Sequence, residues 1–281
     1  MHMEKQAYAK LNLSLDILRR REDGFHDLQM VMVSIDLTDT LTLTPGEGSM
    51  STNLSFLPAD GSNLAQKAAA AFRSATGQGE VLDIHIDKHI PVCAGMAGGS
   101  SDAAAVLRAM NERYHTNLSP LELAKIGEQV GSDVPYCVVG GTALVEGRGE
   151  RVTPISPLPP CYIVVCKPPF PISTPQLFGR VNVKKITCRP DTQGLVKALE
   201  AGDLQGVARR LYNVFEDVLE PRHRQTVDEI KSTLIEYGAL GAVMSGSGPT
   251  VFGLYQDEGT ARKAAQVLGE QYKDVFVCQP C

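Results

Sequence analysis

A run of small residues between two regular segments constrains this chain more than any other feature. Residues 81–87 alternate apolar and polar side chains, which predicts a strand, and residues 102–113 are strong helix formers. The loop 91–101 between them contains three glycines followed by two serines. Glycines let main-chain N–H groups approach a phosphate closely, and a helix N-terminus adds unpaired donors. The loop therefore predicts a phosphate site, with an ordinary strand-to-helix turn as the alternative.

This loop differs from the two best-known phosphate-binding loops. No Lys-Ser or Lys-Thr pair follows the glycines as in a Walker A loop, and the spacing is not that of a dinucleotide-binding G-x-G-x-x-G segment. The hydroxyl groups of Ser100 and Ser101 could bind phosphate or Mg²⁺, or one of them could cap the helix.

An N-terminal strand carries two polar residues that point the same way. In residues 5–17 the odd positions from 7 onward are apolar, while Lys10 and Asn12 lie on the other face. This period of two predicts a half-buried strand. The two side chains are either solvated, or held rigidly toward a common point because the apolar face anchors the strand.

Two glycine turns offer further candidates. Asp133 ends a Gly-Ser-Asp turn before the apolar run 134–139, where it would either cap a helix or serve as a general base. Residues 246–248 predict a tight turn between two strands, which is either a hairpin connection or a second group of main-chain amides facing a phosphate. Phe25 and His26 follow a third turn, where an aromatic ring beside a hydrogen-bonding ring could hold a nucleobase.

Composition limits the classes of protein. The 281 residues are 43% hydrophobic, which is enough for one large domain or two smaller ones. A net charge of −5 without Lys/Arg clusters argues against a nucleic-acid partner, and no apolar run suggests a membrane span. With no signal-peptide pattern, we expect a cytoplasmic protein whose seven cysteines are free thiols. The terminal Cys278-x-x-Cys281 does not open a helix as redox pairs do.

The order of the predicted elements sets the fold class. Strands and helices do not alternate regularly, which predicts an α+β fold rather than a parallel α/β fold. The proline-rich segment 154–160 is the best linker candidate, and it divides the chain into domains 1–153 and 161–281.

Three segments together resemble the sequence motifs of the GHMP small-molecule kinases, in the order of that family. They are residues 9–13, 91–101 and 244–250. Residues 21–26, 131–135 and 174–175 further resemble the branch of the family whose substrate carries a cytidine diphosphate. The resemblance implies the two-domain GHMP kinase fold, with the active site in the cleft between the domains and ATP-dependent phosphorylation of an alcohol.

The resemblance also implies roles for individual residues. Asp133 would be the general base, and Lys10 would keep it ionised by its opposite charge. ATP and Mg²⁺ would be the cofactors, with Ser101 as a candidate metal ligand. The ATP phosphates would lie on Pro91, Val92, Cys93, Ala94, Gly95, Met96, Ala97, Gly98, Gly99, Ser100 and Ser101.

The same resemblance places the substrate. Asn12, Phe25 and His26 would form the pocket for cytidine and substrate, and Thr174 and Phe178 match a further stretch that contacts substrate. Phe25 stands where members often carry Tyr, so stacking on a base is kept and a phenol hydrogen bond is lost. The alternatives are a GHMP kinase acting on homoserine, mevalonate or a sugar, and a non-catalytic nucleotide-binding protein.

Overall fold

The computed structural model describes residues 2–58 and 60–281. Helices and strands mix along this part of the chain without regular alternation, which confirms the predicted α+β class. The strands are β1 (Met3–Arg20), β2 (His26–Pro45), β3 (Met50–Thr52), β4 (Leu82–Asp87), β5 (Thr142–Gly147), β6 (Arg151–Pro154), β7 (Tyr162–Lys167), β8 (Tyr212–Asn213), β9 (Gly241–Met244), β10 (Val251–Tyr255) and β11 (Asp274–Cys278). The helices are α1 (Leu64–Thr76), α2 (Gly98–Arg113), α3 (Pro120–Glu128), α4 (Val134–Val139), α5 (Thr174–Arg180), α6 (Thr192–Glu200), α7 (Leu204–Ala208), α8 (Pro221–Glu236) and α9 (Glu258–Gly269).

These strands form two sheets. The larger sheet has the order β3-β4-β2-β1-β8, and β5 pairs with β2 and β6. The smaller sheet has the order β11-β7-β10-β9 and is antiparallel throughout. All strands of the smaller sheet follow the proline-rich segment. One short strand, β8, also follows it but pairs with β1 in the larger sheet.

The last residues of the chain also pair with the larger sheet. The N–H of Asp36 donates to the carbonyl of Gln279 at 3.0 Å, and the N–H of Cys281 donates to the carbonyl of Ser34 at 3.1 Å. The proline-rich segment is packed as well, because the N–H of Leu158 donates to Thr142 Oγ1 at 3.0 Å. The two halves are therefore joined by main-chain hydrogen bonds at two separate places, between β8 and β1 and between residues 279–281 and β2.

Strand β1 departs from its predicted half-buried character. Lys10 and Asn12 on its polar face are only 3% and 0% exposed. Bulges in the pairing with β2 interrupt the alternation between Tyr8 and Ala9 and again after Asn12. As a result, Leu11 packs into a core shared with β7 and β9, whereas Leu15 packs into a second core that includes α2 and α4. The prediction that one face of β1 is exposed to solvent is wrong, because other parts of the chain cover both faces of this sheet.

The helices follow the local sequence signals where those signals are strong. Ser119 and Glu122 form the capping box at the start of α3. The sequence pattern also predicts helices over residues 62–75, 222–237 and 257–272, and α1, α8 and α9 lie within a few residues of these bounds. Helix α2 begins at Gly98 rather than at residue 102, which shortens the glycine loop to residues 91–97. The short helices α4 to α7 are not predicted. Helix α4 is an apolar run too short to distinguish a helix from a strand, and α5 to α7 span only five to nine residues.

The described part of the chain, which excludes residues 1 and 59, has no helix with the length and apolarity needed to traverse a membrane. All seven cysteines lie within it and carry free thiols, as expected. Burial raises the pKa of Cys278 to about 12 and that of Cys281 to about 11. The thiolate is thus disfavoured at both, which speaks against a reactive redox pair.

Candidate active site

A cavity of about 1310 Å³ is lined by residues from both halves of the chain. Its walls are formed by β1, by the loop 91–97 and the start of α2, by α5, and by the turn between β9 and β10. Small-molecule sites commonly measure about 300–1,000 Å³. This cavity therefore has room for two ligands side by side, as a transfer reaction between two substrates requires.

Three of the motifs identified in the sequence meet at Gly95. Lys10 Nζ donates to Asn12 Oδ1 at 2.5 Å and to the Gly95 carbonyl at 2.9 Å. The hydroxyl of Ser245 donates to the same carbonyl at 3.0 Å. Gly95 has a φ of +74°, and a Cβ built there would lie 2.2 Å from the Ser245 carbonyl oxygen. Only glycine fits this contact between the loop and the second half of the chain.

The turn between β9 and β10 is a hairpin connection whose residues 246–248 also face the cavity. Asn213 Nδ2 holds the turn by donating to the carbonyls of Met244 at 2.7 Å and Gly246 at 2.8 Å. The hydroxyls of Ser247 and Thr174 lie 2.7 Å apart and join the turn to α5. Both predicted interpretations of this turn are therefore compatible with its position.

Asp133 occupies the N-cap position of α4, but its side chain accepts no capping hydrogen bond. Among residues 2–58 and 60–281, no hydrogen bond or ion pair reaches its carboxylate, which lies half-buried on the cavity wall. The helix-cap interpretation accounts for the position of this residue but not for its unused side chain. A carboxylate in this state remains available to accept a proton.

Lys10 and Asp133 line the same cavity without forming an ion pair in the described structure. The charges of Lys10 and Asp133 both affect the pKa of the buried Cys137 thiol, which is raised to about 12. Burial is the main cause, the Asp133 charge raises the pKa further, and the Lys10 charge opposes that increase. The structure thus brings the two predicted partners to one site, while Lys10 is hydrogen-bonded to Asn12 and Gly95 instead.

Most of the predicted phosphate loop faces the cavity: Pro91 to Gly95 and Ala97 to Ser100 line it. Met96 does not, because its side chain is buried in the core. Ser101 does not line the cavity either, because its hydroxyl is turned inward and donates to the Tyr8 carbonyl at 2.6 Å. The predicted role of Ser101 as a metal ligand conflicts with this placement, and Ser100 is the serine that faces the cavity.

Phe25, His26 and Phe178 lie at one end of the cavity, where three rings form an aromatic group, whereas Asn12 lies beside Lys10 near Gly95 and Thr174 contacts the turn at Ser247. His26 stacks on Phe178 with ring centroids 5.0 Å apart and an angle of 17° between the ring planes. Phe178 meets Phe215 edge to face at 4.9 Å. Burial and the charge of Arg20 lower the pKa of His26, which favours the neutral imidazole. Phe25 is 54% exposed, so its ring offers an open face.

Arg148 is a cavity residue that the sequence analysis did not identify. Its guanidinium lies 5.3 Å from the centroid of the Phe25 ring and also pairs with Glu128 at 3.2 Å. Such an arrangement holds a cation at the end of the cavity that carries the aromatic group. The sequence signal was weak, because Arg148 stands between two glycines and reads only as part of a turn.

Lys88 and Asp102 also line the cavity and were not identified from the sequence. Lys88 Nζ donates to Asp102 Oδ2 at 2.7 Å and to Asp39, and all three side chains are buried. A signal for Asp102 was present, since it is an isolated charge at the start of an otherwise apolar helical run.

No group of three or more His, Cys, Asp or Glu side chains within the described ranges is placed to hold a metal ion.

Comparison with known families identifies the class of protein. The family model of the GHMP kinases N terminal domain matches residues 63–141, and that of the GHMP kinases C terminal region matches residues 195–274. The first match contains the phosphate loop and Asp133, and the second contains the hairpin turn that contacts Gly95. The chain belongs to the GHMP kinases.

Within this family, its relatives include the 4-diphosphocytidyl-2-C-methyl-D-erythritol kinases. The one from Alkaliphilus metalliredigens is 41% identical, and the alignment covers 99% of this chain and 96% of the relative. The one from Brevibacillus brevis is 44% identical with the same coverage. The crystal structure of a 4-(cytidine 5'-diphospho)-2C-methyl-D-erythritol kinase superimposes with a TM-score of 0.83 at 31% identity over 99% of both chains. The homoserine kinase of Cytophaga hutchinsonii has a TM-score of 0.73 at 20% identity over 98% of this chain and 94% of its own, which shows a shared fold only.

Proposed function

We propose that this chain transfers the γ-phosphoryl group of ATP to the 2-hydroxyl of 4-diphosphocytidyl-2-C-methyl-D-erythritol, a step of non-mevalonate isoprenoid biosynthesis. The observation that carries the proposal is one cavity that joins a glycine loop, an unpaired carboxylate and an aromatic group. The identity of 41–44% to kinases of that name supports the choice of substrate. With a small, water-soluble substrate, we place the reaction in the cytoplasm.

The loop end of the cavity suits the triphosphate of ATP. Residues 91–95 and 97–100 line it, and no side chain caps the N-terminus of α2. The free amides and the positive end of the helix dipole favour an anion there. Phosphoryl transfer depends mainly on positioning and on neutralising charge, which this arrangement supplies.

Asp133 and Lys10 have complementary roles in the proposed reaction. The attacking alcohol must lose its proton, and the unpaired carboxylate of Asp133 is the group on the cavity wall that can accept it. The ammonium of Lys10 is held by Asn12 and Gly95 beside the loop. From there it stabilises the negative charge that builds up on the transferred phosphoryl group.

We also propose Mg²⁺ as the metal cofactor of the reaction. It usually keeps several waters and binds through substrate phosphates and few protein ligands, so the absence of a multidentate cluster does not conflict with it. Ser100 faces the cavity beside the loop and is the hydroxyl that fits as a ligand, whereas that of Ser101 is engaged by Tyr8. When bound, Mg²⁺ neutralises part of the triphosphate charge.

The opposite end of the cavity suits a cytidine diphosphate. The exposed ring of Phe25 and the ring of Phe178 offer faces for stacking the cytosine, and neutral His26 offers a hydrogen-bonding ring. Arg148 at this end supplies a cation for the diphosphate. Asn12 lines the cavity beside Lys10 and the loop, so we place its substrate contact near the alcohol that accepts the phosphoryl group.

A coupled assay of ADP release tests the substrate. We expect turnover with the cytidine diphosphate of methylerythritol and rates at least about a hundredfold lower with homoserine, mevalonate or galactose. Replacement of His26 by Ala should raise KM for the cytidine substrate while ATP binding is kept. Faster turnover with one of the other three alcohols would refute the proposed substrate. ATP binding without transfer to any of the four would favour a non-catalytic protein.

A further inference from the structure

Three charged side chains form a buried cluster under the phosphate loop. Lys88 Nζ donates to Asp39 and to Asp102 Oδ2, the latter at 2.7 Å. The side chains of Lys88, Asp39 and Asp102 are 4%, 0% and 4% exposed, respectively. Buried charges are costly unless they are paired and oriented, so this cluster holds its three members in fixed positions.

The cluster connects the two ends of the loop. Asp39 Oδ1 accepts hydrogen bonds from the N–H groups of His89 at 2.6 Å and Ile90 at 2.8 Å, directly before the loop begins. Asp102 lies near the start of α2, five residues after the loop ends. Lys88 joins these two carboxylates. A Cβ added to Gly98 would lie 3.3 Å from Lys88 Nζ, so the ammonium also lies close to the loop backbone.

The loop needs such support because its backbone is strained. Cys93 and Ala97 have φ values of +53° and +56°, in the left-handed region that non-glycine residues avoid. Strained conformations of this kind persist only where the surrounding structure holds them, and they concentrate at functional sites. Both residues line the cavity between the two points that the cluster fixes.

We propose that Asp102 is a positioning residue for the kinase reaction, which acts through Lys88 and Asp39 to hold the loop 91–97 in the shape that binds the nucleotide phosphates. This inference rests on the proposed function only in assigning that loop to a nucleotide. Asp102 itself touches neither the phosphates nor the acceptor alcohol in this proposal. Its replacement should therefore weaken nucleotide binding and leave the binding of the acceptor unchanged.

Three variants test the inference. Asp102→Ala removes an acceptor of Lys88, and Asp102→Asn keeps an oxygen there. Met110→Ala is the matched control, because Met110 is buried on the same helix and does not line the cavity. Binding of ADP with Mg²⁺ is measured by calorimetry without any acceptor, and KM for ATP and for the acceptor by steady-state kinetics. Thermal unfolding shows whether each variant is folded.

We expect Asp102→Ala to raise the Kd of ADP and the KM for ATP at least about tenfold, with the KM for the acceptor unchanged. Asp102→Asn should stay within about threefold of the wild type, and so should Met110→Ala despite its lower melting temperature. If Asp102→Ala does not fold, Asp102→Ser takes its place with the same expectation.

Two results would overturn the inference. One is a folded Asp102→Ala protein that binds ADP within about threefold of the wild type. The other is an equal loss of ADP binding in one of the two comparison variants. In Met110→Ala such a loss would indicate a general effect of stability, and in Asp102→Asn it would indicate a role of the charge alone. A wild-type protein that binds ADP but does not phosphorylate the cytidine substrate would refute the proposed function and leave this comparison intact.

Discussion

Replacement of Asp133 by Asn is the sharpest test of the proposed chemistry. The change removes the proton acceptor and keeps the shape of the side chain. A general base contributes about 10²–10⁴-fold to the rate, which corresponds to about 3–5 kcal/mol of activation free energy. We therefore expect kcat to fall at least about a hundredfold.

Stability and nucleotide binding should be preserved in this variant. The Asp133 carboxylate makes no capping hydrogen bond, so Asn removes none, and the free energy of unfolding should change by no more than about 0.5 kcal/mol. KM for ATP should stay within about twofold, because Asp133 lies outside the loop. The measurements are coupled ADP release and thermal unfolding.

Asp203→Asn is a suitable control for this variant. Asp203 is the N-cap of α7, accepts from the Gly206 N–H at 2.9 Å and does not line the cavity. Asn is an equally good cap, so neither stability nor turnover should change appreciably. A folded Asp133→Asn protein that retains more than about a tenth of wild-type turnover would show that another group accepts the proton.

Three further predictions concern the cavity walls. Gly95→Ala should lower the free energy of unfolding by at least about 2 kcal/mol in denaturant titrations and abolish ATP binding, because its Cβ would overlap the Ser245 carbonyl. An unchanged denaturant midpoint would contradict this close contact between Gly95 and Ser245. The pKa of His26 is lowered below 6.5 by burial and by the charge of Arg20, so KM for the cytidine substrate should be constant from neutral to alkaline pH and rise only on the acid side of pH 6.5, where the imidazolium forms; His26→Phe should lose this dependence in initial-rate measurements. Arg148→Gln should raise KM for the same substrate about tenfold or more with little change in kcat, and an unaltered KM would exclude a role in binding the diphosphate.

Each motif was recognisable from local signals, whereas their convergence at one site was expected only from the resemblance to the GHMP kinases. Glycine turns at 95 and 246–248 and the capping box of α3 follow from backbone sterics and short-range hydrogen bonds, which a sequence displays directly. Local patterns marked Lys10 and Asp133 as candidates, and the resemblance assigned their roles. Neither could give the distance between the two side chains, because that distance depends on how α4 packs on α2 and α2 packs on β1.

Features that depend on long-range packing could not be predicted from local sequence signals. The burial of Leu11 on β1 results from a core shared with β7 and β9, more than 140 residues away in sequence. Lys88 and Arg148 directly follow β4 and β5, and they become cavity residues only when those strands are paired within the sheet. A surface lysine and a buried one look alike in sequence, so the pattern of residues 88–102 indicated the loop but not the ion cluster under it.

The pairing of β8 with β1 and of residues 279–281 with β2 limits how the molecule can move. A hinge motion that moved the two halves apart would break the main-chain hydrogen bonds at both of these places. Ligand exchange should then proceed with the cleft at constant width, through rearrangement of side chains. The stack of His26 on Phe178 covers one face where cytosine would bind, so this pair must separate and re-form in every catalytic cycle that uses that face.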